Sequence, residues 1–238
     1  RDAIETASGG RWLRPPTGHW FASGLCTYLP AFKNNSILVI NSAADKVGMS
    51  AEKIEMASGA AAILTTDPQI AHKTTLPVLL VNDNQQAVFG MAYHARSTLN
   101  AKVIGITGSA GKTSTVAMLE EALSKDQKIY STKFNANLPV GVAWNLCSAP
   151  IDASYIILEL AVGRMAISAG IAKPDLAIFT NVFPSHIGSR KTLADIAINK
   201  SAIFTGMKPN STAVLNSAMN EWELVEQSAR EKGLKIIT

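Results

Sequence analysis

The chain has 238 residues, 47% of them hydrophobic, and a formal net charge of +4, enough for one large or two ordinary globular domains with real cores. No apolar run approaches the roughly 20 residues that a bilayer-spanning helix needs, and no charged-then-apolar leader follows Arg1, so a soluble cytoplasmic protein with no membrane partner is expected. The basic residues are scattered rather than interleaved with aromatics, which argues against a nucleic-acid partner and suits an anionic small substrate as well.

Taken in chain order, short β-type runs at Ile37–Ile40, Ala62–Thr65 and Val78–Val81 alternate with helix-like pieces over Ser50–Ser58 and Asn84–Ser97. This predicts a small α/β domain ending near Leu99. A further strand leads into Thr107, and a helix-forming segment follows at Val116–Leu123. Four more strands are expected at Lys128–Ser131, Tyr155–Leu160, Leu176–Asn181 and Thr212–Asn216, with helical stretches between several of them. Alternation of this kind implies parallel pairing with right-handed crossovers, and ligands then bind at the carboxyl ends of the strands. Cys26 and Cys147 are far apart and outside any C-x-x-C or Cys/His pattern. They are expected to be buried small hydrophobes rather than a disulfide or zinc site.

The stretch from Lys102 to Ser114, K-V-I-G-I-T-G-S-A-G-K-T-S, has the layout of a phosphate-binding loop. Backbone N–H groups of a tight turn and the positive end of the following helix point at one anionic site. Gly108 and Gly111 permit the backbone angles and close approach, Lys112 neutralises phosphate charge, and the Thr113 hydroxyl is placed to ligate Mg²⁺. Ile106 stands where G-x-x-x-x-G-K-[ST] has its first glycine, so the match is to the shorter T-G-x-x-G-K-T form. The competing reading is a chance glycine-lysine turn.

Chemistry is then sought after each strand. Glu159 lies in an otherwise apolar strand, where a carboxylate needs a cation or donors; Mg²⁺ and a core lysine or arginine both fit. The strand from Leu176 exits into a loop holding Asn181 and His186, the latter either a ligand or a surface group. Thr192-Leu-Ala-Asp195 has the form of a helix start, with the helix running to about Phe204. At helical spacing Leu193, Ile196, Ala197, Lys200 and Ile203 share a face, so Lys200 sits on the apolar side, and periodicity alone slightly favours a head that snorkels to water.

Together, T-G-S-A-G-K-T at 107–113, the Asn135/Asn137-x-x-x-Gly141 segment, Glu159, T-N-x-x-x-x-H ending at His186, Lys200 and Val-Leu-Asn216 resemble the Mur ligase superfamily. These are the ATP-dependent amide-forming ligases of peptidoglycan precursor synthesis, and the resemblance covers roughly residues 99–238. S-A-G-K-T-S, the Phe134-to-Val142 segment and Ala197–Phe204 look most like the branch that adds D-alanyl-D-alanine to a UDP-muramoyl tripeptide. The folylpolyglutamate branch, with G-K-G-S, is less similar to Gly111-Lys-Thr-Ser114.

The resemblance implies an α/β protein with a substrate-binding-type domain at 1–98 and a P-loop, mostly parallel-sheet ATPase domain at 99–238. The family's carboxyl-terminal Rossmann-like domain is not present in the chain, which would make it a fragment or dependent on a partner. The resemblance further implies that Gly108, Ser109, Ala110, Gly111, Lys112, Thr113 and Ser114 bind ATP, and that Thr113, Glu159 and His186 hold Mg²⁺. Lys200 would be carbamylated and support a second Mg²⁺, and Asn137 would lie near the phosphates, so that Lys112, Lys200, His186 and Asn137 make up the catalytic set. The implied reaction phosphorylates a substrate carboxylate, here that of a UDP-sugar peptide, and lets an amino acid or dipeptide amine displace phosphate from the acyl phosphate; a monomer is expected.

Two features depart from the branch. After Glu159 the chain reads Leu160-Ala-Val-Gly-Arg164 where glycine, alanine and asparagine are usual, so Arg164 is either a contact for a substrate anion or a solvated charge. The amino-terminal region lacks a D-S-R signature, and only Ala51–Thr65 resembles that domain. A Mur-like ligase of another pathway, an inactive nucleotide-binding module and an ordinary P-loop kinase or NTPase are the rival readings.

Overall fold

The computed structural model describes residues 1–42, 45–184 and 192–238. Two compact units divide it, one formed by Arg1–Thr98 with Leu146–Pro150 and the other by Leu99–Asn145 with Ile151–Thr238. In the first unit α1 (Asp2–Ser8) precedes β1 (Arg11–Arg14), β2 (Gly24–Cys26), β3 (Ser36–Ile40), β4 (Ala62–Thr65), β5 (Val78–Leu80) and α2 (Asn84–Thr98). The sheet order is β1-β5-β4-β3-β2, parallel except for the antiparallel edge strand β1. Every residue of β3 and β4 is buried, as parallel strands covered on both faces require, and this is why both read as unbroken apolar runs.

The second unit runs β6 (Lys102–Thr107), α3 (Lys112–Leu123), β7 (Ile129–Ser131), α4 (Pro139–Cys147), β8 (Tyr155–Glu159), α5 (Met165–Ala172), β9 (Leu176–Phe179), α6 (Leu193–Ser201), β10 (Thr212–Leu215), α7 (Trp222–Glu231) and β11 (Lys235–Ile237). Its six strands are all parallel, in the order β11-β10-β9-β6-β8-β7. Ile104 and Ile106 of β6 pack with Val116 of α3 and Ile157 of β8 in the core. From β6 the chain leaves toward β7, whereas from β9 it leaves the other way toward β10. The adjacent carboxyl ends of β6 and β9 therefore form the switch point at which such sheets hold ligands.

The expected helix over Ser50–Ser58 is instead a 3-10 turn, Ala51–Ile54, followed by irregular chain. Its ends are pinned by Met49 N donating to Val39 O (2.8 Å) and Asn35 N donating to Gly59 O (2.8 Å). A 3-10 turn rises about 2.0 Å per residue against about 1.5 Å for an α-helix, and so spans a fixed gap with fewer residues. The helix expected to reach Phe204 is α-helical to Ser201 and then tightens into a 3-10 turn over Ala202–Gly206. Cys26 is buried as expected, whereas Cys147, the last residue of α4, is only half-buried; both are free thiols. No helix among the described residues is long and apolar enough to cross a membrane.

Candidate active site

β6 ends at Thr107, and the turn Gly108–Gly111 delivers the chain to the first residue of α3, Lys112. Gly108 has φ +149°, and a Cβ there would stand 1.9 Å from the Thr180 Oγ1, so only glycine fits. Gly111 caps α3 in the left-handed conformation, φ 80°. The loop is tied to the chain leaving β9: Ser109 N donates to Asn181 O (3.0 Å), Ala110 N to Asn181 Oδ1 (2.9 Å), and Thr180 Oγ1 to Ala110 O (2.7 Å). Ser109 Oγ donates to Phe183 O (3.0 Å) and accepts from Phe183 N (2.9 Å). Asn216 Nδ2 reaches the same segment, at Thr180 O (2.9 Å). The first turn of α3 presents backbone N–H groups without intrahelical partners and the positive end of the helix dipole, an anion site by construction.

Glu159, the last residue of β8, is 5% exposed and joins two segments, the first turn of α3 and the loop after β7. Thr113 Oγ1 donates to its Oε2 (2.8 Å), Asn137 Nδ2 donates to its Oε1 (2.9 Å), and Lys112 Nζ lies 4.0 Å from Oε1. Its backbone N–H is taken by Thr132 Oγ1 (2.8 Å). Thr132 carries no motif that distinguishes it in sequence, and only strand adjacency reveals it; Thr180 opens the T-N-x-x-x-x-H stretch, but its bond to Ala110 O becomes visible only in the fold. The Glu159 carboxylate and the Thr113 hydroxyl are hard oxygen donors at hydrogen-bond distance, a set suited to Mg²⁺ when phosphates and water complete its shell. Among the described residues no cluster of three His, Cys, Asp or Glu side chains could cage a metal by itself, so the donors fit an ion shared with a phosphate rather than one held by protein alone.

Lys200 is 2% exposed, and its Nζ donates to Gly108 O (2.8 Å). Lys112 Nζ donates to the same carbonyl (3.0 Å). The head therefore does not snorkel to water, contrary to what periodicity alone favoured, because α6 aims this face at the phosphate loop, where a carbonyl meets the ammonium. Burial, and then the charge of Lys112, push its pKa from 10.5 to about 8. Two ammonium groups and one carboxylate leave a net positive charge beside the helix N-terminus. Of the other expected site residues, Ser114 is exposed on the first turn of α3, and His186 lies outside the described residues. Arg164 is exposed and left-handed (φ 59°) at the cap of α5.

Residues 106–238 match the Mur ligase middle domain. The UDP-N-acetylmuramoyl-tripeptide--D-alanyl-D-alanine ligase of Buchnera aphidicola subsp. Acyrthosiphon pisum is 33% identical over 147 residues, covering 60% of this chain and 32% of that one. The structure of MurF from Acinetobacter baumannii is similar in fold, with a TM-score of 0.81 at 21% identity over 99% of this chain and 52% of that chain. The MurF ligase from Thermotoga maritima in complex with ADP gives a TM-score of 0.69 at 22% identity, over 90% and 49% of the two chains. The chain thus spans about a third of the length of the curated relative and about half of the two solved chains.

Proposed function

The chain belongs to the Mur ligase family, whose middle domain its residues 106–238 match, and on that premise we propose that it works in an ATP-dependent ligase joining a carboxylate to an amine. The observation that carries this reading is the convergence of Lys112 and Lys200 on Gly108 O, with Thr113 2.8 Å from Glu159. In the proposed reaction a substrate carboxylate oxygen attacks the γ-phosphorus of ATP, the bond to the bridging oxygen breaks, and ADP leaves. The amine nitrogen then attacks the acyl carbon, phosphate departs with the C–O electron pair, and the amine proton passes to solvent.

Each residue has a part consistent with its place. The first turn of α3 and Lys112 hold the phosphates and offset the charge that two approaching anions bring together. Thr113 and Glu159 would hold Mg²⁺, which supplies charge neutralisation and orientation of the phosphates. Asn137 orients the Glu159 carboxylate through its amide. Lys200, with its pKa lowered to about 8, offers more neutral amine at physiological pH than an ordinary lysine. That amine can add to the carbon of CO₂ and lose a proton to water, giving a carbamate.

By analogy with the named relatives, the carboxylate belongs to a UDP-muramoyl tripeptide and the amine to D-alanyl-D-alanine, in peptidoglycan precursor synthesis in the cytoplasm. The first unit is the part assigned to the acceptor. The deciding experiment is phosphate release from Mg-ATP by the protein given UDP-muramoyl tripeptide, with and without the dipeptide. Release that needs both is expected. ATP binding without release would refute the peptidoglycan acceptor and favour a different carboxylate or an inactive binding module, in line with the absent D-S-R signature.

A further inference from the structure

Asn145 is fully buried on α4, and its amide makes four hydrogen bonds, two of which hold the segment that leads to Asn137. Its Oδ1 accepts from Lys133 N (3.1 Å) and from Tyr130 Oη (3.3 Å). Its Nδ2 donates to Ala136 O (3.4 Å) and to Gly141 O (2.9 Å). A flipped amide would set Nδ2 against the Lys133 N–H and Oδ1 against two carbonyls, so the chemistry leaves one orientation.

The segment between Lys133 and Asn137 needs such a clamp. Phe134 and Asn135 both have positive φ, 55° and 51°, a conformation that L side chains disfavour. The loop also runs so close to α4 that a Cβ on Gly141 would stand 2.6 Å from the Ala136 carbonyl. Beyond the clamp, Asn137 N donates to Asn135 O (2.8 Å) and Ala161 N donates to Asn137 O (3.0 Å), which leaves the Asn137 side chain aimed at Glu159 Oε1, 2.9 Å away.

We propose that Asn145 is a positioning residue for the site. By holding both ends of the 133–137 loop it sets the Asn137 amide on one oxygen of Glu159, so that the other oxygen faces Thr113 and the phosphate loop. The structural link stands on the hydrogen bonds alone; its consequence for Mg²⁺ rests on the function proposed above.

Two variants test it in the full chain. Asn145→Asp keeps the acceptor and loses both donors with little change of shape. Gly141→Ala keeps asparagine at 145, favours the helix by propensity, and pushes Ala136 away from the Asn145 amide. The Asn137 side-chain amide signal in a ¹⁵N–¹H spectrum, identified by its loss in Asn137→Ala, reports the link without nucleotide. The Mg²⁺ concentration for half-maximal ADP binding, by calorimetry, reports the consequence.

Both variants are expected to shift the Asn137 amide signal to its solvent-exposed position and to raise the Mg²⁺ requirement about tenfold, the usual effect of removing a group that orients a metal ligand. Adding Asn137→Ala to Asn145→Asp should raise the requirement no further. An unchanged Asn137 signal beside a lowered melting temperature would overturn the proposal and leave Asn145 a packing residue, as would additive effects in the double variant. Should the unaltered chain bind no ADP with Mg²⁺, the proposed function falls, and the amide signal still decides the role of Asn145.

Discussion

Lys200 shows what a single position can and cannot reveal. Counting at helical spacing puts it on a face with Ile196, Ala197 and Ile203, and that face is buried. The destination of its ammonium was not readable, because the carbonyl that receives it belongs to Gly108, 92 positions away. The folded chain gives up this proton near pH 8, whereas an unfolded chain keeps it to the ordinary 10.5. The unfolded state therefore binds more protons between those values, and stability rises with pH across the window; the destabilising effect is fully present below it. Lys200→Met should thus be the more stable protein at neutral pH, with an advantage that shrinks as pH rises past about 8. A stability difference independent of pH, from denaturant midpoints, would place the ammonium in water.

At the same scale, Lys112→Ala should lower nucleotide turnover by about 10²-fold or more, since it removes a preorganised donor from the phosphates, with far-UV circular dichroism unchanged. Unaltered turnover would remove Lys112 from the site. Glu159→Gln keeps the size of the side chain and its contact with Thr113 but loses the charge. A Mg²⁺ requirement raised at least about tenfold is expected, and an unchanged magnesium titration of nucleotide binding would argue that the carboxylate serves the fold alone.

Among the elements, those with local chemistry were legible. Thr192 and Asp195 form the reciprocal capping box that T-x-x-D suggested, with Asp195 N donating to Thr192 Oγ1 (3.1 Å) and Thr192 N to Asp195 Oδ2 (2.8 Å). Thr192→Ala should cost about 1 kcal/mol, measurable as a lowered denaturant midpoint. The glycine-rich turn was equally plain, but its severity was not: the 1.9 Å overlap that a Cβ at Gly108 would make with Thr180 belongs to the neighbouring strand's exit. Gly108→Ala should therefore destabilise the chain and weaken ADP binding together. α5 is apolar along nearly all of M-A-I-S-A-G-I-A, so its sequence does not mark which side is covered; the fold buries Met165, Ser168, Ala169 and Ala172 and leaves Ile167 exposed. The Ser50–Ser58 stretch had helical composition, and distant tethers made it a 3-10 turn instead.

Across the whole molecule, the candidate site is assembled from the exits of β6, β8 and β9 with the loop after β7, the first turn of α3 and the inward face of α6. Mg-ADP should accordingly slow amide hydrogen exchange at residues 107–114, 132–137, 159–161 and 180–183 together. Protection confined to 107–114 would mean that the loop binds phosphate without engaging the rest. The sequence by itself determined the alternation of strands and helices, the glycine-rich turn ahead of α3, the family and most of the residues that meet beside that turn, because periodicity, turn chemistry and motif spacing act over a few residues. Only the tertiary structure decided the strand order that seats β6 between β8 and β9, the turning of Lys200 onto Gly108, and the hold of Asn145 on the Asn137 loop. Those depend on which backbone atoms far apart in the chain come within 3 or so Å of a side chain, and hydrogen bonds of that reach leave no period in the sequence.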